Sequence, residues 1–276
     1  MQRPPSSPSR SQALVAFEPL LLRTFQDLTR HVNREVCDAM HYALFSVKDR
    51  FSASAAWLIA PRLGIDAKKL ERPLAAIETI RCALLFKTEN HKALEPTLTE
   101  AASYGLIPLA FEMIVTSNEP ILQDFEQTAA TRILTQAASP VHVLSAIHKE
   151  VAILRDGFHS KNELLNLIRE KVTPTFKATG EVLKLLASPS DKTNRLPQWF
   201  QDLGLFAYAV DEITSHVKAS SPYGLSLRHY MTPSEALDVI KSLEAELLES
   251  ASMMDIQGAA HEIIEPLADL LKTRLQ

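Results

Sequence analysis

The chain has 276 residues, of which 46% are hydrophobic and 22% are charged, a balance typical of a folded globular protein. Its formal net charge of −4 gives no basic field for nucleic acid, and two cysteines are too few for a disulfide framework or a zinc site. The longest apolar stretches, such as residues 54–61, fall far short of the roughly 18 residues that predict a membrane span. We therefore expect a cytoplasmic protein.

The N-terminal part of the chain predicts a short tail followed by helices. Residues 1–12 begin MQRPPSSPSR, which lacks the apolar segment of a secretory signal and is typical of a disordered tail. Residues 11–47 carry apolar side chains at helical spacing, and a new helix is permitted to begin near Pro19. A further helix is predicted over 52–63, where Gly64 suits its C-terminal end.

The middle of the chain continues the helical pattern. Asp66 is placed to cap a short turn, and residues 72–86 form the most apolar of the predicted helices. A helix over 99–115 contains Pro108, which we expect to kink or divide it. Further helices are predicted over 117–138, 140–154 and 160–186, the last of which contains Pro174.

Three helices are predicted in the C-terminal part, over 199–216, 236–251 and 254–275. The run from Thr232 to Glu235 is a strong N-cap signal for the second of these. No convincing alternation of period two predicts a strand anywhere. The sequence therefore predicts an all-α, single-domain bundle of about ten or more helices, spanning residues 13–276.

One apolar run, Leu203–Ser215, ends in the adjacent acids Asp211 and Glu212. Its apolar residues recur at the spacing of a single helix face. An acid pair at the end of a buried helix is able to hold Mg²⁺ or face a cavity, and it is equally compatible with an ordinary exposed turn. Both interpretations are open at this point.

Several segments, in the right order and at fitting separations, resemble the trans-prenyl diphosphate synthases. The segment GLFAYAVDEI (204–213) is similar to the second aspartate-rich helix of that family, and 171–187 is similar to its Lys-Thr helix. Residues 72–86 resemble the helix that leads into the first aspartate-rich motif, and 42–51 resemble the segment with the glycine-glycine-lysine-arginine diphosphate site. The resemblance covers roughly 35–276 and implies the isoprenoid synthase fold, a helical bundle around a central cavity.

The resemblance also implies a magnesium site, since family members ionise an allylic diphosphate with Mg²⁺ ions held by two Asp-Asp-x-x-Asp clusters. The first cluster falls at Thr88, Glu89 and Lys92. The second falls at Asp211, Glu212 and Ser215. Only Glu89, Asp211 and Glu212 therefore remain as metal ligands, and Mg²⁺ is expected only if diphosphate chemistry survives. The simpler interpretation of these acids is a solvated loop and a helix surface.

The substrate contacts that the resemblance implies are also reduced. The basic diphosphate site falls at Asp49, Arg50 and Ser52, so only Arg50 is a cation. Lys171 of the Lys-Thr motif is kept, whereas the threonine is replaced by Val172. The substrate-binding set is Arg50, Lys171, Gln136, Phe206 and Tyr208. The competing interpretation makes the charged groups ordinary surface charges, Gln136 a satisfied buried amide and the two aromatic residues part of the core.

Three functions follow from this pattern. The first is a catalytically impaired or non-catalytic homologue in isoprenoid metabolism, which acts as a partner or regulatory subunit of an active prenyl synthase or binds a prenyl chain. It would form a homodimer or heterodimer through the apolar helices 72–86 and 101–115. The second is a divergent Mg²⁺-dependent prenyltransferase or terpene-synthase-like enzyme, with Glu78 or Glu112 as additional carboxylates. The third is an unrelated helical interaction protein. The sequence leaves open whether the chain is an enzyme.

Overall fold

Ten α-helices and no strand occur in the residues that the computed structural model describes, namely 10–46, 50–88, 96–115, 160–214 and 231–275, with the single residues Lys149 and Leu227. The helices are α1 (Arg10–Leu28), α2 (Arg34–Ser46), α3 (Phe51–Ile59), α4 (Ala67–Thr88), α5 (Pro96–Val115), α6 (Lys161–Val172), α7 (Pro174–Leu186), α8 (Leu196–Thr214), α9 (Pro233–Met253) and α10 (Gln257–Leu275). The all-α prediction is confirmed for these residues. The helices predicted over 117–138 and 140–154 lie outside them.

The apolar pattern over residues 11–47 folds as two helices. The first, α1, begins at Arg10, inside the stretch predicted as a tail, and passes through the exposed Pro19 instead of beginning there. It ends where the Thr29 hydroxyl donates to the Phe25 carbonyl oxygen at 2.8 Å. The Asn33 side chain then accepts from the Glu35 backbone N–H at 2.9 Å and caps α2. Hydrogen bonds between side chains and the nearby backbone therefore separate α1 from α2, a boundary that the apolar pattern of the sequence does not mark.

The helix caps read from the sequence are confirmed. Gly64 has φ 69°, and this left-handed conformation ends the 3-10 turn that follows α3. The carboxylate of Asp66 accepts from the Lys68 backbone N–H at 3.0 Å and caps α4, a helix of 22 residues rather than the short turn expected. Thr232 and Glu235 form a reciprocal capping box at the start of α9, with Thr232 N–H donating to Glu235 Oε2 at 2.9 Å.

Two of the prolines within predicted helices have opposite effects. Pro174 divides the pattern over 160–186, because it occupies the first position of α7 and follows Thr173 at the junction with α6. Pro108, in contrast, is exposed within α5, which continues from Pro96 to Val115. Of the two expected effects of Pro108, a kink or a boundary, the boundary was therefore wrong, because the helix continues past the one backbone hydrogen bond that proline removes.

The C-terminal half is built around α8, which packs against α6, α7, α9 and α10. The indole N–H of its Trp199 donates to the Leu247 carbonyl oxygen of α9 at 2.9 Å. α7 approaches α8 closely because Gly180 and Gly204 lack side chains at the contact. α7 also packs against α3 and α4, so it connects this half to the N-terminal helices. No described helix has the length and apolar content needed to cross a membrane.

We expect Gly180→Ala to destabilise the protein by about 1–3 kcal/mol, because overpacking of a close helix contact forces the backbone to shift. A methyl group at this position would lie 2.6 Å from the Leu196 carbonyl oxygen, an atom of the backbone that cannot rotate away. The matched control is Gly258→Ala in α10, where the nearest atom would be 3.7 Å away. The control should gain about 0.5–1 kcal/mol from helix propensity. Urea unfolding of both variants measures the difference, and equal stabilities would contradict the close-contact assignment.

Candidate functional site

The acid pair predicted from the sequence lies in the last turn of α8. Asp211 is exposed, Glu212 is half-buried, and the apolar Phe206 and Val210 on the same helix are fully buried in the core. Partial burial raises the pKa of the Asp211 carboxyl from its ordinary value, and the adjacent charge of Glu212 raises it further. Negative charge is also disfavoured at the C-terminal end of a helix dipole. A cation bound here would offset each of these unfavourable terms.

The described residues place two carboxylates, those of Asp211 and Glu212, in this turn. None of them forms a group of three His, Cys, Asp or Glu side chains arranged to hold a metal ion. The third predicted ligand, Glu89, lies outside the described residues, directly after α4 ends at Thr88. Mg²⁺ in proteins is commonly held by one or two carboxylates together with phosphate oxygens, and Asp211 and Glu212 fit that limited donor set. The metal assignment of all three acids stays a prediction.

Arg50, the predicted diphosphate contact, is completely buried. Its Nε donates to Glu18 of α1 at 2.8 Å, and its Nη2 donates to the Leu44 carbonyl oxygen of α2 at 2.5 Å. Its Nη1 donates to the Cys82 sulfur of α4 at 3.0 Å. Arg50 directly precedes α3, and its guanidinium thus bonds to three other helices. Each of its nitrogens is bonded within the protein.

Glu78 is the buried anion of the same network, with a side chain that is 1% exposed. One carboxylate oxygen accepts from the Ser52 hydroxyl at 2.9 Å, and the other accepts from Arg81 Nε at 2.9 Å. The second oxygen also lies 3.9 Å from Arg50 Nη1. Ser52 is one of the positions that the resemblance assigns to the basic diphosphate site. In this chain it completes the hydrogen bonding of a buried carboxylate.

The protonation states of this network follow from its geometry. Burial opposes the charge on Arg50, but attraction by the carboxylates of Glu78 and Glu18 and the hydrogen bond to Glu18 outweigh it and raise the pKa of the guanidinium from its ordinary value. Burial raises the pKa of the Cys82 thiol despite the nearby Arg50 and Arg81 charges. The network therefore holds a charged arginine and a neutral thiol. Cys82 is fully buried on an apolar helix, as expected from the sequence.

Sequence reasoning missed the partners of Arg50. Glu78 and Cys82 are four residues apart on α4 and therefore share a helix face, which was a usable signal. Glu18 carried no such signal, because it is 32 residues from Arg50 in the chain. Only the packing of α1 against α3 and α4 brings it to the guanidinium.

The remaining predicted substrate contacts are distributed as follows. Phe206 is fully buried within the hydrophobic core, and the half-buried Tyr208 packs against that core, in agreement with the simpler interpretation of both residues. Lys171 lies in the last turn of α6, next to the junction with α7. Gln136 lies outside the described residues. The assignment of these four residues to a prenyl or diphosphate site stays a prediction.

Comparison with known proteins identifies the fold. No protein-family model and no curated protein sequence matches the chain. Among solved structures, a geranyltransferase from Legionella pneumophila superposes with a TM-score of 0.79 at 17% identity, over 97% of this chain and 98% of that one. A putative farnesyl-diphosphate synthase from Marinomonas sp. MED121 has a TM-score of 0.73 at 14% identity, over 96% and 99%. A chain of heterotetrameric geranyl pyrophosphate synthase from mint has a TM-score of 0.63 at 17% identity, over 88% and 98%.

This architecture is the all-α isoprenoid synthase fold. More particularly, the chain has the whole-length fold of geranyl and farnesyl diphosphate synthases, as the resemblance implied.

We expect Arg50→Met to destabilise the protein by about 2–4 kcal/mol, because it removes the charged donor from Glu18, from the Cys82 sulfur and from the buried Leu44 carbonyl oxygen. The matched control is Arg30→Met, since Arg30 pairs with Asp27 at 2.6 Å on the surface, where the two side chains are 70% and 50% exposed. Loss of that pair should change the free energy of unfolding by less than about 1 kcal/mol. Chemical denaturation monitored by circular dichroism measures both. A cost for Arg50→Met no larger than the control's would show that the network is not structural.

Proposed function

We propose that this chain is a member of the trans-prenyl diphosphate synthase family in isoprenoid metabolism that has lost ordinary chain elongation. Its role in this proposal is that of a partner or regulatory subunit of an active prenyl diphosphate synthase, or of a protein that binds a prenyl chain. The whole-length similarity of the fold to prenyl synthases supports the family assignment. The internal network around Arg50 supports the loss of elongation.

The observation that carries this proposal is that the Arg50 side chain is buried and bonded within the protein. Chain elongation requires cations that hold the diphosphate of the second substrate, and the resemblance leaves Arg50 as the one cation of that site. Its side chain is completely buried and bonded to Glu18, Cys82 and the Leu44 carbonyl oxygen. To contact a diphosphate it would have to break these three hydrogen bonds and leave the Leu44 carbonyl oxygen without its charged donor, at a cost of several kcal/mol. Each 1.4 kcal/mol of such a cost weakens binding about tenfold.

The surface of α5 supports a partner subunit. The exposed face of α5 carries Glu100, Tyr104, Pro108 and Glu112, and Tyr104 is 59% exposed, whereas Leu106 and Met113 on the opposite side are fully buried. An exposed tyrosine among polar residues is typical of a protein contact surface. Residues 101–115 form one of the two helices predicted from the sequence to lie at a subunit interface. One protein of similar fold is a chain of a heterotetrameric geranyl pyrophosphate synthase, which supports an assembly with an active synthase.

The proposal predicts no elongation by the purified chain and an effect on an active partner. The full chain is incubated with Mg²⁺, isopentenyl diphosphate and dimethylallyl, geranyl or farnesyl diphosphate, alone and with an active prenyl synthase from the same cell. We expect no longer product alone, and a changed rate or product length in the mixture. Elongation by the chain alone at a rate typical of the active synthase would contradict the proposal.

A substitution at the proposed interface separates a specific partner effect from a non-specific one. Tyr104→Asp should abolish the effect on the active synthase and co-elution with it, since an unpaired charge would be buried in the interface. Leu185→Asp is the matched control, because Leu185 is an apolar residue on α7 that is 48% exposed. If the two variants co-elute with the active synthase equally well and affect its activity equally, α5 is not the contact surface.

The second candidate function is a divergent Mg²⁺-dependent prenyltransferase or terpene-synthase-like enzyme. The observation that favours it is the retained pair Asp211 and Glu212, whose charges repel and whose surroundings favour a cation. A geranyltransferase of the same fold from Helicobacter pylori has been solved with magnesium and isoprenyl diphosphate, which supports Mg²⁺ with a diphosphate as the ligand class. When bound, the metal ion would neutralise diphosphate charge, and Asp211 and Glu212 would hold and orient it.

This second function predicts a Mg²⁺-dependent rise in melting temperature in the presence of an allylic diphosphate. The rise should disappear in the double variant Asp211→Asn with Glu212→Gln and persist in Asp238→Asn, an exposed acid on α9. Because the pKa of Asp211 is raised, its carboxyl keeps its proton to higher pH, so the rise should weaken as the pH falls toward that pKa. Scanning calorimetry at several pH values tests this. An unchanged rise in the double variant would exclude the acid pair as the metal site.

A further inference from the structure

The connection between α7 and α8 is held against the end of α9 by two cationic side chains. Lys192 forms an ion pair with Asp255, which lies just after α9. Arg195, the last residue of the 3-10 turn that precedes α8, donates from Nη1 to the Met253 sulfur at 2.9 Å. Met253 is the last residue of α9. A charged donor on one segment is therefore directed at a thioether on another.

The backbone is fixed locally on both sides of this contact. Before α8, the buried Thr193 accepts from the Ser190 N–H at 3.1 Å, and the Thr193 N–H donates to Ser190 Oγ at 3.2 Å. After α9, Asp255 adopts a left-handed φ of 60°, and the Ile256 N–H donates to the Ala251 carbonyl oxygen at 3.1 Å, as in a Schellman cap. The arginine and the methionine are therefore carried by two well-defined turns.

Met253 is exposed, unlike the other methionines that the structure describes. Its exposed fraction is 46%, whereas each of the others is 5% exposed or less: Met40, Met113, Met231 and Met254. A peroxide molecule reaches an exposed sulfur directly, but it reaches a buried sulfur only after the protein opens locally. Among the described methionines, oxidation of the folded chain should therefore be confined to Met253.

The oxidation by hydrogen peroxide converts the thioether to a sulfoxide. The sulfur lone pair attacks one peroxide oxygen, the O–O bond breaks and an S–O bond forms. The departing hydroxide takes the proton from the new S–OH group, which leaves one sulfoxide and one water. Sulfur is oxidised by two electrons and the peroxide is reduced by two.

The sulfoxide would change the contact with Arg195. A thioether sulfur is a weak hydrogen-bond acceptor, whereas an oxygen that faces a guanidinium accepts a stronger, charge-assisted bond. Because Met253 is half-exposed, the new oxygen has room beside the sulfur and is not forced into the core. Oxidation should therefore strengthen the contact between the turn before α8 and the end of α9.

We propose that Met253 is a site of reversible oxidation by peroxide, and that its sulfoxide accepts from Arg195 and fastens the turn before α8 to α9. Methionine sulfoxide is reduced back to the thioether by sulfoxide reductases, which makes the modification reversible. The site lies at the opposite end of α8 from Asp211 and Glu212. It does not depend on the function proposed above, and either proposal can fail without the other.

The first experiment measures which methionine reacts. The full chain carrying Cys37→Ser, which removes a partly exposed thiol, is treated with hydrogen peroxide and followed by peptide mass spectrometry. Met254 is the internal control, because it is adjacent to Met253 but only 3% exposed, and fragment spectra separate the two. We expect Met253 to be oxidised at least about tenfold faster in the folded chain, since a buried sulfur reacts only in locally opened molecules, and equally fast in guanidinium. Equal rates in the folded chain would overturn the proposal.

The second experiment measures what the sulfoxide does. Oxidation of Met253 should raise the melting temperature by about 2 °C, because the new hydrogen bond has a charged donor. The rise should disappear in Arg195→Ala and in Met253→Leu. It should persist in Arg30→Ala, which removes an exposed arginine from α1–α2. A rise that survives Arg195→Ala or Met253→Leu, or no rise in the chain oxidised at Met253, would overturn the contact between the sulfoxide and Arg195.

Discussion

The N-terminal half of this protein depends on a charged guanidinium with no access to solvent. Arg50 bonds to α1 through Glu18, to α2 through the Leu44 carbonyl oxygen and to α4 through Cys82. Because a buried charge is tolerated only when its hydrogen bonds are satisfied, the relative positions of these helices are fixed by one side chain. The carboxylate of Glu78 is satisfied in turn by Ser52 and Arg81. Apolar packing alone would allow these helices to slide, whereas the directional bonds specify one arrangement.

The C-terminal half is organised by the close packing of α7 against α8 rather than by buried charge. Gly180 of α7 faces the backbone of Leu196 and Pro197 in α8, and Gly204 of α8 faces the Phe176 side chain of α7. The Trp199 indole joins α8 to α9. α7 also packs against α3 and α4, so it connects the N-terminal helices to α8, whose last turn carries Asp211 and Glu212.

The Arg50 network also bears on the comparison of this chain with proteins of similar fold. The fold is that of prenyl diphosphate synthases over nearly the whole chain. The positions that the resemblance assigns to the grip on the second diphosphate instead include Arg50 and Ser52, two members of an internal network. In the function proposed above, this internal use of Arg50 supports the loss of the contact with the second diphosphate. The acid pair, in contrast, keeps its side chains accessible or half-buried.

The sequence by itself determined the helical class, the caps at Gly64, Asp66 and Thr232, and the position of the acid pair, because these depend on residues within a few positions of each other. It did not determine that α1 and α2 separate after Leu28 or that α5 continues through Pro108, where local bonding and solvent exposure outweighed periodicity. Only the tertiary structure decided the role of Arg50. A cation beside Asp49 has the same sequence signature whether it faces a ligand or the interior, and its partners are supplied by helices that are distant in the chain.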